Sequence, residues 1–170
     1  MTESDPTKAG FRLRRALASD LAAVDALLAR SYPKLLKADY PPSVLVTALP
    51  LISRAQSALL SSGTYYVVED ADGSVIGAGG WTPDKAKRAL GHIRHLVSDD
   101  RQLRRGIARA IVAHVLAEAR GRGIMQMECW STRTAVPFYT AMGFRALGPI
   151  DVPLAPGISF PCIRMQQALE

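Results

Sequence analysis

The sequence predicts one α/β (α+β) domain: a mixed, mostly antiparallel sheet of about seven strands with helices on both faces. Three observations lead there. A chain of 170 residues, 48% hydrophobic, can bury one sizeable core and is short for two. Apolar residues switch between period two and helical spacing in the order β-α-α-β-β-β-α-β-α-β-β. Turn residues, Asp70-Ala71-Asp72-Gly73 above all, punctuate the strand patterns.

Each element has its own signal. Met1 to Gly10 is polar, lacks the apolar stretch of a secretory signal, and is expected to be a flexible tail before a domain spanning 11–170. Phe11 to Arg15 alternates as a first strand. Ser19 is the expected N-cap of a helix that places Leu21, Val24, Leu27 and Leu28 on one face. Pro33, Pro41 and Pro42 interrupt the chain beyond Leu28. A second helical stretch, Ser43 to Leu60, should break or kink at Pro50. Tyr65 to Glu69 and Ser74 to Trp81 form a hairpin around the Asp70–Gly73 turn. A strand from Ile93 to Ser98 runs through a polar loop, Asp99 to Gln102, into a helix closing near Arg120, with Gly121 as its C′ residue. Ile124 to Trp130 is a strand. A short helix begins near Thr134, with Pro137 in its first turn, and stops before Gly143. Strands Phe144 to Val152 and Phe160 to Gln166 close the domain, joined by a loop rich in Pro and Gly.

The segment Leu103-Arg104-Arg105-Gly106-Ile107-Ala108 carries the clearest chemistry. It turns a strand into a helix through a basic, Gly-containing bend. The first amides of a helix have no internal partner, and the helix dipole favours negative charge there. Gly106 has no Cβ to hold a ligand away from the main chain. A phosphorylated cofactor is the expected occupant. Neither a dinucleotide fingerprint nor a Walker loop is present, and the Gly77-Ala78-Gly79-Gly80 run lies in a strand and opens no helix.

Composition narrows the alternatives. The formal charge is +6, and Arg94, Arg101, Arg104, Arg105 and Arg109 stand against only Asp99 and Asp100. No lysine-rich run, helix-turn-helix pattern or aromatic-interleaved basic strand points to nucleic acid, so a compact polyanion suits the arginines better. Cys129 and Cys162 sit in apolar strand-like runs and read as small buried hydrophobes of a reducing compartment, with no metal-ligand spacing. No apolar run reaches the roughly 20 residues of a membrane span. A cytoplasmic location is the expectation.

A second loaded segment is Ala135-Val-Pro-Phe138-Tyr139-Thr-Ala-Met142-Gly143-Phe144. A tyrosine beside a strand end can bury its ring and keep its hydroxyl free to donate. Taken together, strand, basic Gly-x-Ala bend, helix, strand and then Ala-x-x-Phe-Tyr-x-x-x-Gly-Phe resemble the GNAT superfamily of acyl-CoA-dependent N-acetyltransferases. The resemblance runs from Phe11 to the closing strand and is most specific between Ile93 and Phe144.

The resemblance implies acetyl-CoA as co-substrate, no metal, and a small-molecule or peptide amine as acceptor, with neither nucleic acid nor membrane as partner. A homodimer is compatible with it. Leu96, Val97 and Ser98 resemble the strand end whose backbone bonds the pantetheine arm. Leu103, Arg104, Arg105, Gly106, Ile107 and Ala108 resemble the pyrophosphate loop, with Leu103 departing from the family's usual Gln or Arg. Tyr139 resembles the tyrosine that protonates the departing thiolate, and Thr132 stands where the family often has Asn. Acetyl transfer by direct attack needs no covalent intermediate, so neither cysteine is required as a nucleophile.

The attacking amine must shed a proton. His92 is the expected base, with Glu128 or water as alternatives; His114, mid-helix, reads as structural. His95 has opposite strand parity to His92, so only one faces the substrate unless a bulge intervenes. Tyr32 and Tyr40 are expected at the acceptor, with the Pro153 to Phe160 loop. A non-catalytic acyl-CoA-binding or sensor domain on the same scaffold is the alternative function.

Overall fold

The computed structural model describes residues 10–170. The expected tail therefore lies outside the described residues except for Gly10. Among the described residues seven strands form one sheet: β1 (Phe11–Arg15), β2 (Tyr65–Asp70), β3 (Val75–Pro83), β4 (Leu90–Ser98), β5 (Gln126–Ser131), β6 (Arg145–Ala155) and β7 (Ile158–Ala168). The same residues form five helices: α1 (Leu21–Leu36), α2 (Pro42–Ile52), α3 (Ser57–Leu60), α4 (Ile107–Gly121) and α5 (Val136–Ala141). The spatial order is β1-β2-β3-β4-β5-β7-β6, and every pairing is antiparallel except β4 with β5. The mixed sheet and its two helical layers agree with the sequence reading.

Strand alternation divides the core into two halves. On one face α1, α2 and α3 bury Val24, Leu27, Leu28, Tyr32, Leu45 and Leu60 against Tyr65, Val67, Ala78 and Val97. On the other, α4 lays Ile107, Ile111, Val112 and Val115 over Tyr66, Val68, Ile76 and Met127, with Tyr139 and Phe144 alongside. The buried stripe of α4, Ile107, Ile111, Val112, Val115 and Ala119, recurs at helical spacing.

Several boundaries differ from expectation. Ser19 does not cap α1, because a 3-10 turn, Ala18–Asp20, precedes the helix. Asp20 instead accepts the Leu17 amide at 2.7 Å and holds the Arg14 guanidinium at 2.8 and 2.7 Å. Pro33 lies inside α1 without ending it, since the turn it belongs to buries Ser31, Tyr32 and Leu36. Pro41 and Pro42 start α2 as cap and first residue, where a missing N–H costs nothing. The break expected at Pro50 falls after Ile52. Gly121 is the last residue of α4, and the left-handed residue past its end is Gly123, at φ +85°. The expected Pro153 to Phe160 loop is mostly strand, because pairing of β6 with β7 continues to Ala155↔Ile158 and leaves a tight turn.

The Gly77–Gly80 run is explained by contact. A Cβ on Gly77 would fall well inside van der Waals distance of Ile107 Cγ2, so the glycine lets α4 lie directly on the sheet. A Cβ on Gly80 would collide with the Thr64 carbonyl oxygen, and backbone cannot yield as a side chain can. Gly80→Ala should therefore destabilise the protein by about 3 kcal/mol or more. Gly121→Ala, whose Cβ meets nothing within 4 Å, should be neutral or stabilise by up to about 0.5 kcal/mol. Urea unfolding of both variants measures the contrast, and equal midpoints would contradict this packing.

Candidate active site

The site begins where two strands part. The parallel strands β4 and β5 pair only at Leu90↔Gln126, Gly91↔Met127 and His92↔Glu128. Beyond His92 the β4 edge has no strand partner on that side, so its polar backbone groups face a cleft. A bulge sharpens the divergence. Pairing of β4 with β3 moves from Gly80↔Arg94 to Ala78↔Val97, and the extra residue puts His95 at φ +52°. Two side chains and one carbonyl, from three elements, clamp this bulge. Tyr65 donates to the His95 carbonyl at 2.9 Å, Tyr32 donates to the Leu96 carbonyl at 3.0 Å, and His95 Nε2 donates to the Ile52 carbonyl at 2.8 Å. The bulge also resolves the parity question, since His92 and His95 both line the second cavity described below.

A first cavity, ≈ 510 Å³, opens between the diverging strands. Leu96, Val97 and Ser98 form one side, Gly106 to Arg109 close one end, and Leu35, Leu36, Ala135 and Phe138 give it apolar walls. Gly106, at φ +80°, is the N-cap of α4 and offers no capping side chain. The amides of Ile107, Ala108 and Arg109 thus occupy a first helical turn with no hydrogen-bond acceptor among the described residues. A Cβ on Gly106 would meet nothing within 4 Å, leaving open space over those amides.

The arginines divide by side. Arg104, at φ +69°, and Arg109 line the cavity without a carboxylate partner among the described residues. Arg105 turns the other way and pairs with Asp70 at 3.3 Å, so only its main chain belongs to the turn. Arg101 is held by the buried Asp99 at 3.1 Å, which also takes Arg30 of α1 at 2.9 Å. These bonds anchor the turn to its neighbours. Leu103, 52% exposed, lies on the rim. Free amides at a helix start, two cations and a narrow apolar channel fit a diphosphate carrying a long, largely uncharged arm.

A second cavity, ≈ 720 Å³, meets the first at Tyr32, Leu96, Thr132 and Ala135. Tyr139 lines it; the residue is 5% exposed, and its hydroxyl has no hydrogen-bond partner among the described residues. Burial pushes the Tyr139 phenol well above its ordinary value, which keeps the proton on oxygen at neutral pH. Its ring is fixed edge-on by Phe138 and Phe144. His92 stands between two carboxylates, with Nε2 2.7 Å from Asp84 and Nδ1 3.5 Å from Glu128. The His92 hydrogen bond, with the Lys87 and Ala86 amides, holds the Asp84 carboxyl well below the usual range. Burial alone would raise Glu128, which is 4% exposed, but hydrogen bonds from Gln166 and Arg164 outweigh it and leave the pKa lowered. Both cysteines line this cavity, and burial pushes the Cys162 thiol up to about 12 and Cys129 higher still. Neither is a ready thiolate.

Of the predicted residues, Tyr32, His92 and Tyr139 converge on the second cavity, and the strand end and turn line the first. Tyr40 does not reach either. Its hydroxyl donates to the Pro161 carbonyl at 2.7 Å and accepts the Arg133 amide at 2.8 Å, while its ring stacks on Phe160. It ties α2's approach to β7 rather than contacting an acceptor. His114 sits on α4 edge-on to Tyr66, away from both cavities, as its mid-helix position suggests. Sequence reasoning misses Asp84. The only signal for it is the β3–β4 hairpin, which sets Thr82 opposite His92 and so brings Asp84 within reach. Among the described residues no cluster of His, Cys, Asp and Glu has the arrangement of a metal site, and no helix is long and apolar enough to cross a membrane.

Comparison with known proteins gives the family and the fold. Residues 39–159 match a family model described as an acetyltransferase (GNAT) domain. A GCN5-related N-acetyltransferase from Rhodopseudomonas palustris is similar in structure, with a TM-score of 0.76 at 21% identity over 93% of this chain and 95% of that one. So is the PaiA N-acetyltransferase of Thermoplasma acidophilum, solved with coenzyme A, with a TM-score of 0.69 at 13% identity over 93% and 98% of the two chains. The ribosomal-protein-S18-alanine N-acetyltransferase of Escherichia coli gives 0.65 at 14% identity, over 94% of each chain. The search of curated proteins found no match.

The buried carboxylate carries a pH signature. Because Glu128 titrates below its ordinary 4.5 in the fold, its anion stabilises the protein above that pH, and the contribution is lost as pH falls through the folded value. Glu128→Gln should lower stability at pH 7 and flatten its decline below pH 4.5, as read by thermal unfolding across pH. Parallel wild-type and variant profiles would contradict the assignment.

Proposed function

The chain belongs to the GNAT acetyltransferase family, and on that footing we propose that it transfers an acetyl group from acetyl-CoA to an amine by direct attack in a ternary complex. The observation that carries this reading is the meeting of the two cavities at Leu96 and Ala135, with the Tyr139 hydroxyl in the acceptor-side cavity. A coenzyme held along the first cavity ends at that junction, where an amine from the second can meet it. Bound acetyl-CoA would supply the thioester carbon that the amine attacks.

The chain's own residues do the rest. The amides of Ile107 to Arg109, helped by Arg104 and Arg109, hold the diphosphate, while the edge of β4 at Leu96 to Ser98 aligns the arm beside it. Backbone N–H groups on that edge are placed to stabilise negative charge on the carbonyl oxygen. His92 receives the proton that the amine loses, and Asp84 and Glu128 flank the imidazole and orient its ring. Glu128 itself is engaged by Arg164 and Gln166, which favours His92 over it as the acceptor of the proton. Tyr139 donates its phenolic proton to the sulfur as the carbon–sulfur bond breaks, and solvent then returns a proton to the phenolate.

Tyr139→Phe should leave acetyl-CoA affinity within about twofold and slow thiol release by ~100-fold or more. Isothermal calorimetry and a thiol-release assay over a broad amine panel separate the two effects, and an unchanged rate would remove Tyr139 from the mechanism. Gly106→Val places a side chain in the space over the α4 amides and should weaken acetyl-CoA binding by about tenfold or more. Undiminished affinity would overturn the diphosphate site. Tight binding by the wild type without turnover on any amine would favour a sensor.

A further inference from the structure

The acceptor cavity contains an unbalanced cation. Arg94 lines it on β4, and its Nε donates to Thr82 Oγ1 at 2.8 Å, which fixes the plane of the guanidinium. No carboxylate lies within ion-pair distance of Arg94 among the described residues, although half-burial works against its charge. Asp84 is the acidic side chain on the cavity wall, and both its oxygens are engaged. Oδ1 faces His92 at 2.7 Å, and Oδ2 accepts the Ala86 and Lys87 amides at 2.9 and 2.8 Å. No carboxylate oxygen on the wall is left to bind a second cationic group of a polyamine. Lys85, exposed at the mouth, adds positive charge.

An apolar wall lies alongside these polar groups. Leu51, Ile52 and Leu59 from the α2–α3 region face Val152, Leu154 and Phe160 from the β6–β7 hairpin. Arg94 and His92 are two residues apart on β4, hence on one face and ~7 Å apart along the strand. That spacing suits a molecule whose amine and anionic group are separated by a few bonds.

We infer that Arg94 binds the carboxylate of the acceptor, which is a small amine of the hydrophobic amino-acid class whose apolar substituent lies between the α2–α3 wall and the β6–β7 hairpin. The guanidinium fork offers the paired N–H groups that a carboxylate takes bidentately, and Thr82 is the positioning residue that aims it. The inference rests on the amine-acetyltransfer reading and adds what the amine must carry.

The test uses the full-length protein, acetyl-CoA and three matched acceptors: L-phenylalanine, its amide, and phenethylamine. The wild type should show kcat/KM about tenfold or more higher for phenylalanine than for phenethylamine, with the amide near the latter. Arg94→Gln should collapse that ratio by about tenfold, mainly through the KM for phenylalanine, and Arg94→Lys should retain part of it. The wild-type preference is readable even if the variants do not fold. A ratio at or below unity, or one untouched by Arg94→Gln, overturns the carboxylate contact while leaving acetyl transfer standing. Failure to bind acetyl-CoA, with no thiol released from any of the three, overturns the transfer reading and this inference with it.

Discussion

The parting of β4 from β5 after only three paired residues is the feature on which the rest of the site depends. Two parallel strands in the middle of a sheet normally satisfy each other's backbone groups along their length. Here they stop at His92↔Glu128, and the sheet opens into a wedge whose apex holds those two side chains. Helix α4 starts at one side of the wedge and α5 flanks the other, so the opening receives a helix N-terminus and a tyrosine. An uninterrupted sheet would leave neither cavity.

Holding such a gap open requires order elsewhere. The bulge at His95 places a non-glycine residue in left-handed backbone, a conformation that persists only where its surroundings enforce it. Tyr32, Tyr65 and the Ile52 carbonyl supply that constraint, each through its own hydrogen bond. On the opposite face, the Gly77 and Gly79 positions let Ile107 and Ile111 settle against β3, which sets where the first turn of α4 sits. The turn proposed to bind the diphosphate is thus positioned by packing. Ion pairs from Arg30 and Arg101 to the buried Asp99 secure the chain just before it.

Much of this was legible in the sequence because it is local. The alternation of Phe11–Arg15, the Asp70–Gly73 turn, the stripe of α4 and the helix start at Gly106 each depend on residues a few positions apart. The roles proposed for Tyr139 and for the 103–108 turn rest on the resemblance, since two motifs in the right order are more specific than either alone. What failed was non-local. Tyr40 resembles an acceptor residue until its hydroxyl is found bonded to Pro161 and Arg133, some 121 and 93 residues away. Arg105 sits beside Arg104 in sequence, yet a left-handed residue between strand and helix sends it to Asp70 on the other side of the turn. The Asp84–His92–Glu128 cluster draws on three strands or strand ends, and no spacing rule within one segment reveals it. The β6–β7 turn misled through composition, because Pro153 and Pro156 suggest a loop where an edge strand accommodates the first of them.

The most direct test is a crystal structure of the protein with coenzyme A. The account predicts the diphosphate within hydrogen-bond distance of the Ile107, Ala108 and Arg109 amides, the arm running along Leu96 to Ser98, and the sulfur facing the Tyr139 hydroxyl. A coenzyme bound elsewhere, or a sulfur emerging on the far side of α5 from that hydroxyl, would contradict it.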